Sequence, residues 1–152
     1  MARLSQLAES SPLMVIDVRY NGKRYKFNLY EETQVNAQTL NREMKKHASS
    51  YAFLLQLRNS LEKKATELEA HKDRVLNKLY LKYKKMMNPM TNRQFSDDAA
   101  KAKAQSSQTY TEAEQEYFDA LHSFKTLRDA IRAYEVRKEL MQSLGANIRN
   151  EK

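Results

Sequence analysis

Cysteine is absent from this 152-residue chain, and glycine and proline occur only twice each. Without cysteine, the chain has neither a disulfide framework nor a thiolate metal site. So few glycines and prolines argue against a sandwich or barrel and favour helices. No window approaches the roughly 18 apolar residues of a membrane-spanning helix, so we expect no membrane partner. The start, MARLSQLAESSPL, lacks the hydrophobic run of a signal peptide, and we expect a cytoplasmic protein.

Positive charge is what the chain has in excess. Its 27 Lys and Arg outnumber its 19 Asp and Glu, which gives a net charge of +8. This balance favours an anionic partner such as nucleic acid, although a basic protein can also simply be soluble. Hydrophobic residues make up 41% of the chain and lie in stripes, a pattern typical of an elongated or oligomeric helical protein. Length predicts a single domain over residues 1–152.

A stretch without glycine or proline, residues 49–87, organises the chain. Its apolar residues recur at spacings of three, four and seven, which predicts one long helix with an apolar stripe. The stripe consists of Leu54, Leu61, Ala65, Leu68, Val75, Leu76, Leu79 and Tyr83. Such a helix would be roughly 55 Å long, so another long helix must cover it. A shorter helix, residues 31–46, is predicted to precede it and to break at His47.

A second long helix is predicted over residues 111–145, where apolar residues repeat every seven positions. One position of the seven-residue repeat holds Tyr117, Phe124, Ile131 and Lys138, and a second holds Ala120, Leu127, Tyr134 and Met141. Heptads of this kind predict a coiled-coil partner, and the obvious partner is the first long helix packed antiparallel. Thr111 and Glu114 have the form of a capping box at its start, and Gly145 is a natural stop. The connection, residues 88–110, is predicted to contain a short helix.

Residues 13–30 form two alternating runs around Asn21-Gly22, which predicts a β-hairpin. A type I′ turn needs positive φ at both central residues, and Asn-Gly suits that need. This turn fixes a register that gives the hairpin one apolar and one basic face. Arg19 would then face Arg24 and repel it unless an anion lies nearby. Because a lone hairpin is marginal in water, its apolar face must dock on something. The predicted fold is therefore mainly α, a long antiparallel helical hairpin with a small N-terminal β-hairpin.

No catalytic constellation is recognisable in the sequence. The three histidines, His47, His71 and His122, lie far apart, and no HExxH, Gly-rich phosphate loop or nucleophile elbow is present. The acids are scattered among bases at helical spacing, which is typical of solvated ion pairs. We predict a protein that is not an enzyme and that needs no metal or other cofactor.

A basic segment at the end of the first long helix is the candidate binding site. Residues 72–85 contain six Lys or Arg and one acid, and Tyr80 and Tyr83 lie among them. Lysines neutralise phosphates, and aromatic rings can stack on unpaired bases. The alternative is a solvated face with Tyr83 in the core. The predicted DNA-facing residues are Arg74, Lys78, Lys82, Lys84 and Lys85, with Arg19, Arg24 and Lys26 of the hairpin second.

Three stretches mark the entry and exit of the first long helix and the end of the second: SSYAFLLQL, LYLKYKK and RKELMQSLGANIR. In these stretches and in the order of its segments, the chain resembles the phage UvsY-like recombination mediators over roughly residues 36–149. The resemblance implies a small oligomeric protein, in the host cell cytoplasm if phage-encoded, that binds single-stranded DNA. It also implies two protein partners, since such mediators help a RecA-like recombinase replace the single-strand-binding protein. The hairpin at 13–30 has no clear counterpart in that pattern.

We also expect a homo-oligomer, a ring of more than four subunits. Packing the two long stripes on each other would leave Leu55, Leu57, Val136, Leu140 and the hairpin's apolar face uncovered, and such surfaces mark interfaces. The main alternative function is a structural or chaperone-like phage coiled coil without DNA binding. A third function, the inhibition of a nuclease by mimicry of nucleic acid, would need an acidic surface, and this chain is basic.

Overall fold

The computed structural model describes residues 4–150, apart from the side chains of Ser5 and Leu7. The predicted fold class is confirmed: the chain is mainly helical, with a small β-hairpin near its N-terminus. The helices are α1 (Leu4–Ser10), α2 (Leu29–Thr33), α3 (Leu40–Lys84), α4 (Asp97–Gln105) and α5 (Gln108–Asn150). The strands are β1 (Val15–Tyr20), β2 (Lys23–Asn28), β3 (Met87–Asn88) and β4 (Arg93–Gln94), and short 3-10 turns cover Pro12–Met14 and Ala37–Thr39. Both ends of the predicted domain, residues 1–3 and 151–152, lie outside the described part.

The N-terminal hairpin forms with the predicted turn and register. Asn21 and Gly22 have φ angles of 49° and 74°, the positive values that a type I′ turn requires. β1 and β2 pair antiparallel, and Arg19 lies opposite Arg24. The strands are shorter than the predicted 13–30 segment, because a 3-10 turn precedes β1 and α2 starts directly after Asn28.

The predicted separation of a short helix (31–46) from a long one (49–87) is wrong. α3 is one continuous helix of 45 residues that passes through His47. The polar sequence around His47 suggested a break, but tertiary packing of a helix outweighs such local preferences. His47 is buried, only 7% exposed, so this turn of the helix is held by its surroundings.

The bounds predicted for the second long helix, 111–145, are also wrong. α5 starts earlier, where the Ser107 hydroxyl accepts a hydrogen bond from the amide of Tyr110 at 3.2 Å. Ser107 thus does the capping that the sequence suggested for Thr111. The helix also continues past Gly145 to Asn150. A Cβ at Gly145 would lie 3.6 Å from Leu40, so α5 passes close to α3 there.

The chain divides into two compact units. Unit 1 is the chain up to Leu61 together with the chain from Ser123 onward, and unit 2 is Glu62–His122. In unit 1 the apolar face of the hairpin packs on the antiparallel segments of α3 and α5. The buried cluster there is Ile16, Val18, Leu54, Leu57, Leu61, Leu127, Ala130, Ile131 and Tyr134. The prediction of a single domain stays a prediction.

Unit 2 contains the end of α3, the connection and the start of α5. The 88–110 connection holds the predicted short helix, α4, together with the two-residue strands β3 and β4. Ser96 caps α4 by accepting from the amide of Ala99 at 3.3 Å. Ala100 and Ala104 of α4 are fully buried.

Candidate nucleic-acid interface

Four of the predicted DNA-facing residues lie on one side of α3 in unit 2. Arg74, Lys78, Lys82 and Lys85 follow one another at spacings of four, four and three, which places them along one helix face. All four are exposed, and none forms an ion pair with a residue that the structure describes. Leu81, which is 55% exposed, lies among them. We call these four cations the basic row.

Lys84 belongs to a different arrangement. Its ammonium lies 2.7 Å from the Asp97 carboxylate, which also accepts a hydrogen bond from the Tyr80 hydroxyl at 2.8 Å. These contacts lower the pKa of Asp97, first through Lys84 and then through Tyr80. The hydrogen bond to Asp97 correspondingly raises the pKa of Lys84. Lys84 therefore joins the start of α4 to α3, whereas the basic row has no such partner among residues 4–150.

The tyrosines of this segment do not accompany the basic row. Tyr80 is engaged with Asp97, and Tyr83 is half-buried. Lys103 of α4 lies over the Tyr83 ring at 5.8 Å and over the Phe95 ring at 4.9 Å. Such cation–π contacts hold the rings within unit 2. The basic row thus offers charge for phosphates, without the aromatic partners that the sequence suggested.

The hairpin places the second group of predicted residues, Arg19, Arg24 and Lys26, in unit 1. The anion that Arg19 and Arg24 were predicted to need is supplied by the chain itself. Arg24 donates from Nε to Asp17 at 2.9 Å and forms an ion pair with the same carboxylate. This contact lowers the pKa of Asp17 below its usual value. Arg19 and Lys26 are exposed, and no ion pair joins them to the described residues.

A buried arginine in unit 1 was not predicted. The heptad pattern assigned Lys138 to one of its two repeating positions, but Lys138 is exposed and its neighbour Arg137 is buried, 4% exposed. Arg137 donates to Glu43 at 2.8 Å and to the backbone carbonyl of Gln34 at 3.2 Å. A third contact, 3.2 Å long, joins Arg137 Nη1 to Nδ1 of His47. The seven-residue pattern could not show this, because Arg137 lies beside the predicted seam positions.

His47 lies between two tyrosine rings in the same cluster. The centroids of Tyr51 and Tyr134 are each 5.8 Å from that of the imidazole. Because Arg137 can only donate, Nδ1 of His47 accepts and the proton of the neutral ring sits on Nε2. Burial lowers the pKa of His47, and the charges of Arg137 and Lys138 lower it further. Burial also raises the pKa of Tyr134 to about 12, so its phenol stays protonated beside Glu32.

This cluster is best described as a buried hydrogen-bond network. Nε2 of His47 has no hydrogen-bond partner among the described residues. Within residues 4–150, no group of three or more His, Cys, Asp or Glu side chains is placed to hold a metal ion. Buried groups of this kind stabilise one arrangement of the elements they join, here α3, α5 and the segment before α3.

Comparisons with known proteins return no relative. No family model, no curated protein and no solved structure matches this chain. None of the helices within residues 4–150 contains an apolar run of the length that a bilayer requires. Any functional conclusion therefore rests on the residues themselves and on the resemblance drawn from the sequence.

Proposed function

We propose that this chain is a recombination mediator without enzymatic activity that binds single-stranded DNA. It would help a RecA-like recombinase replace the single-strand-binding protein. The observation that carries the proposal is the basic row: four exposed cations along one face of α3, without ion-pair partners among the described residues. The two protein partners come from the resemblance to the UvsY-like mediators alone.

The basic row suits phosphates better than base edges. Lysine is a flexible point charge, and neutralising a phosphate of a single strand releases counterions, with a contribution of about 0.7 to the salt slope. Reading sequence would instead need side chains held against base edges in a groove. Binding should therefore show little sequence preference and a steep decline with salt.

The proposal includes assembly into a ring, although fewer uncovered apolar residues support it than the sequence suggested. Leu57 is buried within unit 1, and Ile16 and Val18 of the hairpin's apolar face are buried there against α3 and α5. Val136 and Leu140, 55% and 56% exposed and four residues apart on α5, remain as an uncovered apolar pair. A ring would repeat the basic row once per subunit, so that weak contacts add up to high avidity.

A structural or chaperone-like phage coiled coil is the second candidate. The exposed Val136–Leu140 pair favours it, since an apolar pair on a long helix can serve assembly without any DNA. In that case the lysines would only keep the assembly soluble. DNA binding separates the two candidates, because both predict an oligomer.

A salt-dependent titration tests the proposal. Fluorescently labelled single- and double-stranded oligonucleotides of the same length are titrated with the protein at several salt concentrations. A role as a mediator predicts tighter binding of the single strand. Phosphate contacts by the basic row predict that the logarithm of the association constant falls linearly with the logarithm of the salt concentration. Absence of binding at low salt, from a protein that sediments as an oligomer, would favour the structural candidate instead. A monomer in analytical ultracentrifugation at micromolar concentration would contradict the ring.

A further inference from the structure

Phe53 leaves half of its surface exposed, 50%, although it lies within α3 in unit 1. Its ring contacts Tyr25 of β2, with the two centroids 5.7 Å apart and the planes inclined by 51°. A single exposed apolar side chain is common on protein surfaces and by itself indicates nothing. Phe53 differs from such residues in the grooves and the charged side chains that surround it.

Phe53 and Tyr25 both line two open grooves. One has a volume of about 530 Å³, and its lining includes Phe27 and Leu54. The other, about 380 Å³, is lined by Tyr20, Tyr25 and Leu57, among others. Both volumes fall in the range of about 300–1,000 Å³ that is usual for small-molecule sites. A planar group could therefore approach the Phe53–Tyr25 pair from either groove.

The charges around Phe53 favour an anionic ligand. Two cations line the larger groove: Lys26, which has no ion-pair partner among the described residues, and Arg24, which is paired with Asp17. The segment of α3 that carries Phe53, residues 44–61, contains three Lys or Arg and no acid. Glu32 is an acid on the larger groove, and it accepts a hydrogen bond from Tyr134 at 3.4 Å. Planar apolar groups joined by negative charges are the chemistry of a single-stranded nucleic acid.

We infer that Phe53, backed by Tyr25, is a stacking platform for unpaired bases, with Lys26 beside the strand's phosphates. The inference rests on the proposed binding of single-stranded DNA and adds a contact site in unit 1 to the basic row of unit 2. Stacking on an aromatic ring tolerates any base, so the platform would strengthen binding without reading sequence. It also gives the hairpin a role, since β2 supplies both Tyr25 and Lys26.

Tryptophan fluorescence tests this platform directly, because the natural chain contains no tryptophan. Phe53→Trp places a single reporter at the platform. Phe118→Trp is the matched control, since Phe118 is equally exposed, 51%, but lies in unit 2. The probes are an oligothymidylate and an abasic strand of the same length. We expect the oligothymidylate to quench the Phe53→Trp variant, the abasic strand to leave it unchanged, and neither to alter the control.

Affinity provides the second readout. Phe53→Leu keeps an apolar side chain but removes the ring, and we expect it to weaken oligothymidylate binding about tenfold. Its affinity for the abasic strand should equal that of the natural protein, and Phe118→Leu should bind both strands normally. Equal affinity of the natural protein for both strands, unaffected by Phe53→Leu, would overturn the platform and leave the basic row standing. No binding of either strand would instead overturn the proposed function. A Phe53→Leu protein with a smaller sedimenting mass would show that a second copy covers Phe53, which also overturns the platform.

Discussion

The core of unit 1 and the core of unit 2 consist of different kinds of side chain. The buried positions of unit 1 include Leu54, Leu57, Leu61, Leu127 and Ile131. In unit 2, five of the seven buried residues that the structure describes are alanines: Ala65, Ala100, Ala104, Ala113 and Ala120. Each buried methylene contributes about 0.8 kcal/mol, so unit 1 gains more from its core. Unit 2 buries mainly alanine methyl groups, so its core contributes less to its stability.

The distribution of charge separates the two units as well. Unit 1 has 16 Lys and Arg against 9 acids, whereas unit 2 has 11 against 10, so the excess of +8 lies almost entirely in unit 1. Yet the near-neutral unit 2 carries the basic row, because its charges are segregated. The start of α5, residues 108–122, holds four acids and neither Lys nor Arg. Net charge therefore does not locate a binding surface; the arrangement of charges on each helix face does.

Truncating a core leucine in each unit should give the largest difference between them. Leu127 is fully buried in unit 1, and Leu127→Ala should lower the free energy of unfolding by roughly 3–5 kcal/mol. Leu79 of unit 2 is only half-buried, so Leu79→Ala should cost about 1 kcal/mol. Urea denaturation followed by circular dichroism measures both. Equal losses would mean that the alanine-rich unit is as dependent on its apolar stripe as unit 1.

Removing the buried arginine should have the next largest effect. Arg137→Ala leaves Glu43, His47 and the Gln34 carbonyl without their donor, at a cost of about 2–3 kcal/mol. Lys138→Ala, at the exposed neighbouring position, is the control and should change stability by no more than about 0.5 kcal/mol. The same denaturation experiment compares them, and a larger loss for Lys138→Ala would contradict the observed network.

Acid should weaken unit 1 through His47. The pKa of His47 is lower in the folded chain than its usual value of about 6.5, so the unfolded chain takes up a proton more readily. The stabilisation is therefore complete above pH 6.5 and is lost as the pH falls from there through the lower, folded pKa. Protonation would also place a charge beside Arg137 and Lys138. The urea concentration at the midpoint of denaturation, measured between pH 7.5 and pH 5, should therefore decrease as the pH is lowered below 6.5.

His47→Gln should remove that pH dependence, because an amide does not titrate. The control is His122→Gln, since His122 is exposed in unit 2 and lies far from this network in the sequence. A midpoint for His47→Gln that falls with acid as steeply as in the natural protein would show that another group is responsible.

These comparisons also show which features the sequence could predict. The hairpin register followed from one dipeptide, because Asn21-Gly22 fixes a turn and a turn fixes the pairing. Helical periodicity predicted part of the core: Leu54, Leu61 and Ala65 of the predicted stripe are buried, whereas its later residues are only half-buried. The helix bounds did not follow, because tertiary contacts at His47 and Gly145 outweigh their local preferences. Arg137 could not be predicted either, since a buried cation is tolerated only when distant acceptors meet it, and their meeting is a property of the fold.

The candidate site was predictable in part for the same reason. Helical spacing placed Arg74, Lys78, Lys82 and Lys85 on one face without any knowledge of the rest of the chain. Lys84 and Tyr80 do not lie at that spacing, and their contacts with Asp97 depend on α4, which brings Asp97 back to α3. Similarly, Asp17 engages Arg24 because the two lie on neighbouring strands of the hairpin. Spacing predicts which residues share a face, but not which of them acquire partners.

The smallest effect is expected at the contact between Lys84 and Asp97. Both groups are exposed, and an exposed ion pair contributes little to global stability. Lys84→Gln should therefore leave the denaturation midpoint almost unchanged but speed amide hydrogen exchange in α4, which this contact anchors. Its affinity for single-stranded DNA should fall less than that of a Lys78→Gln protein, the matched change within the basic row. An equal loss of affinity in the Lys84→Gln and Lys78→Gln proteins would place Lys84 in the DNA interface.

Reversing two charges of the basic row tests the central claim most directly. Lys78→Glu with Lys82→Glu is compared with Lys101→Glu with Lys125→Glu, which changes net charge equally at exposed positions of α4 and α5. For single-stranded DNA, we predict an affinity at least about tenfold lower in the first variant, and a salt slope shallower by about 1.4, for two lost phosphate contacts. The second variant should keep the natural slope, and both should keep the natural sedimenting mass. An unchanged affinity and slope in the first variant, with a normal oligomer, would contradict the claim that the basic row binds DNA.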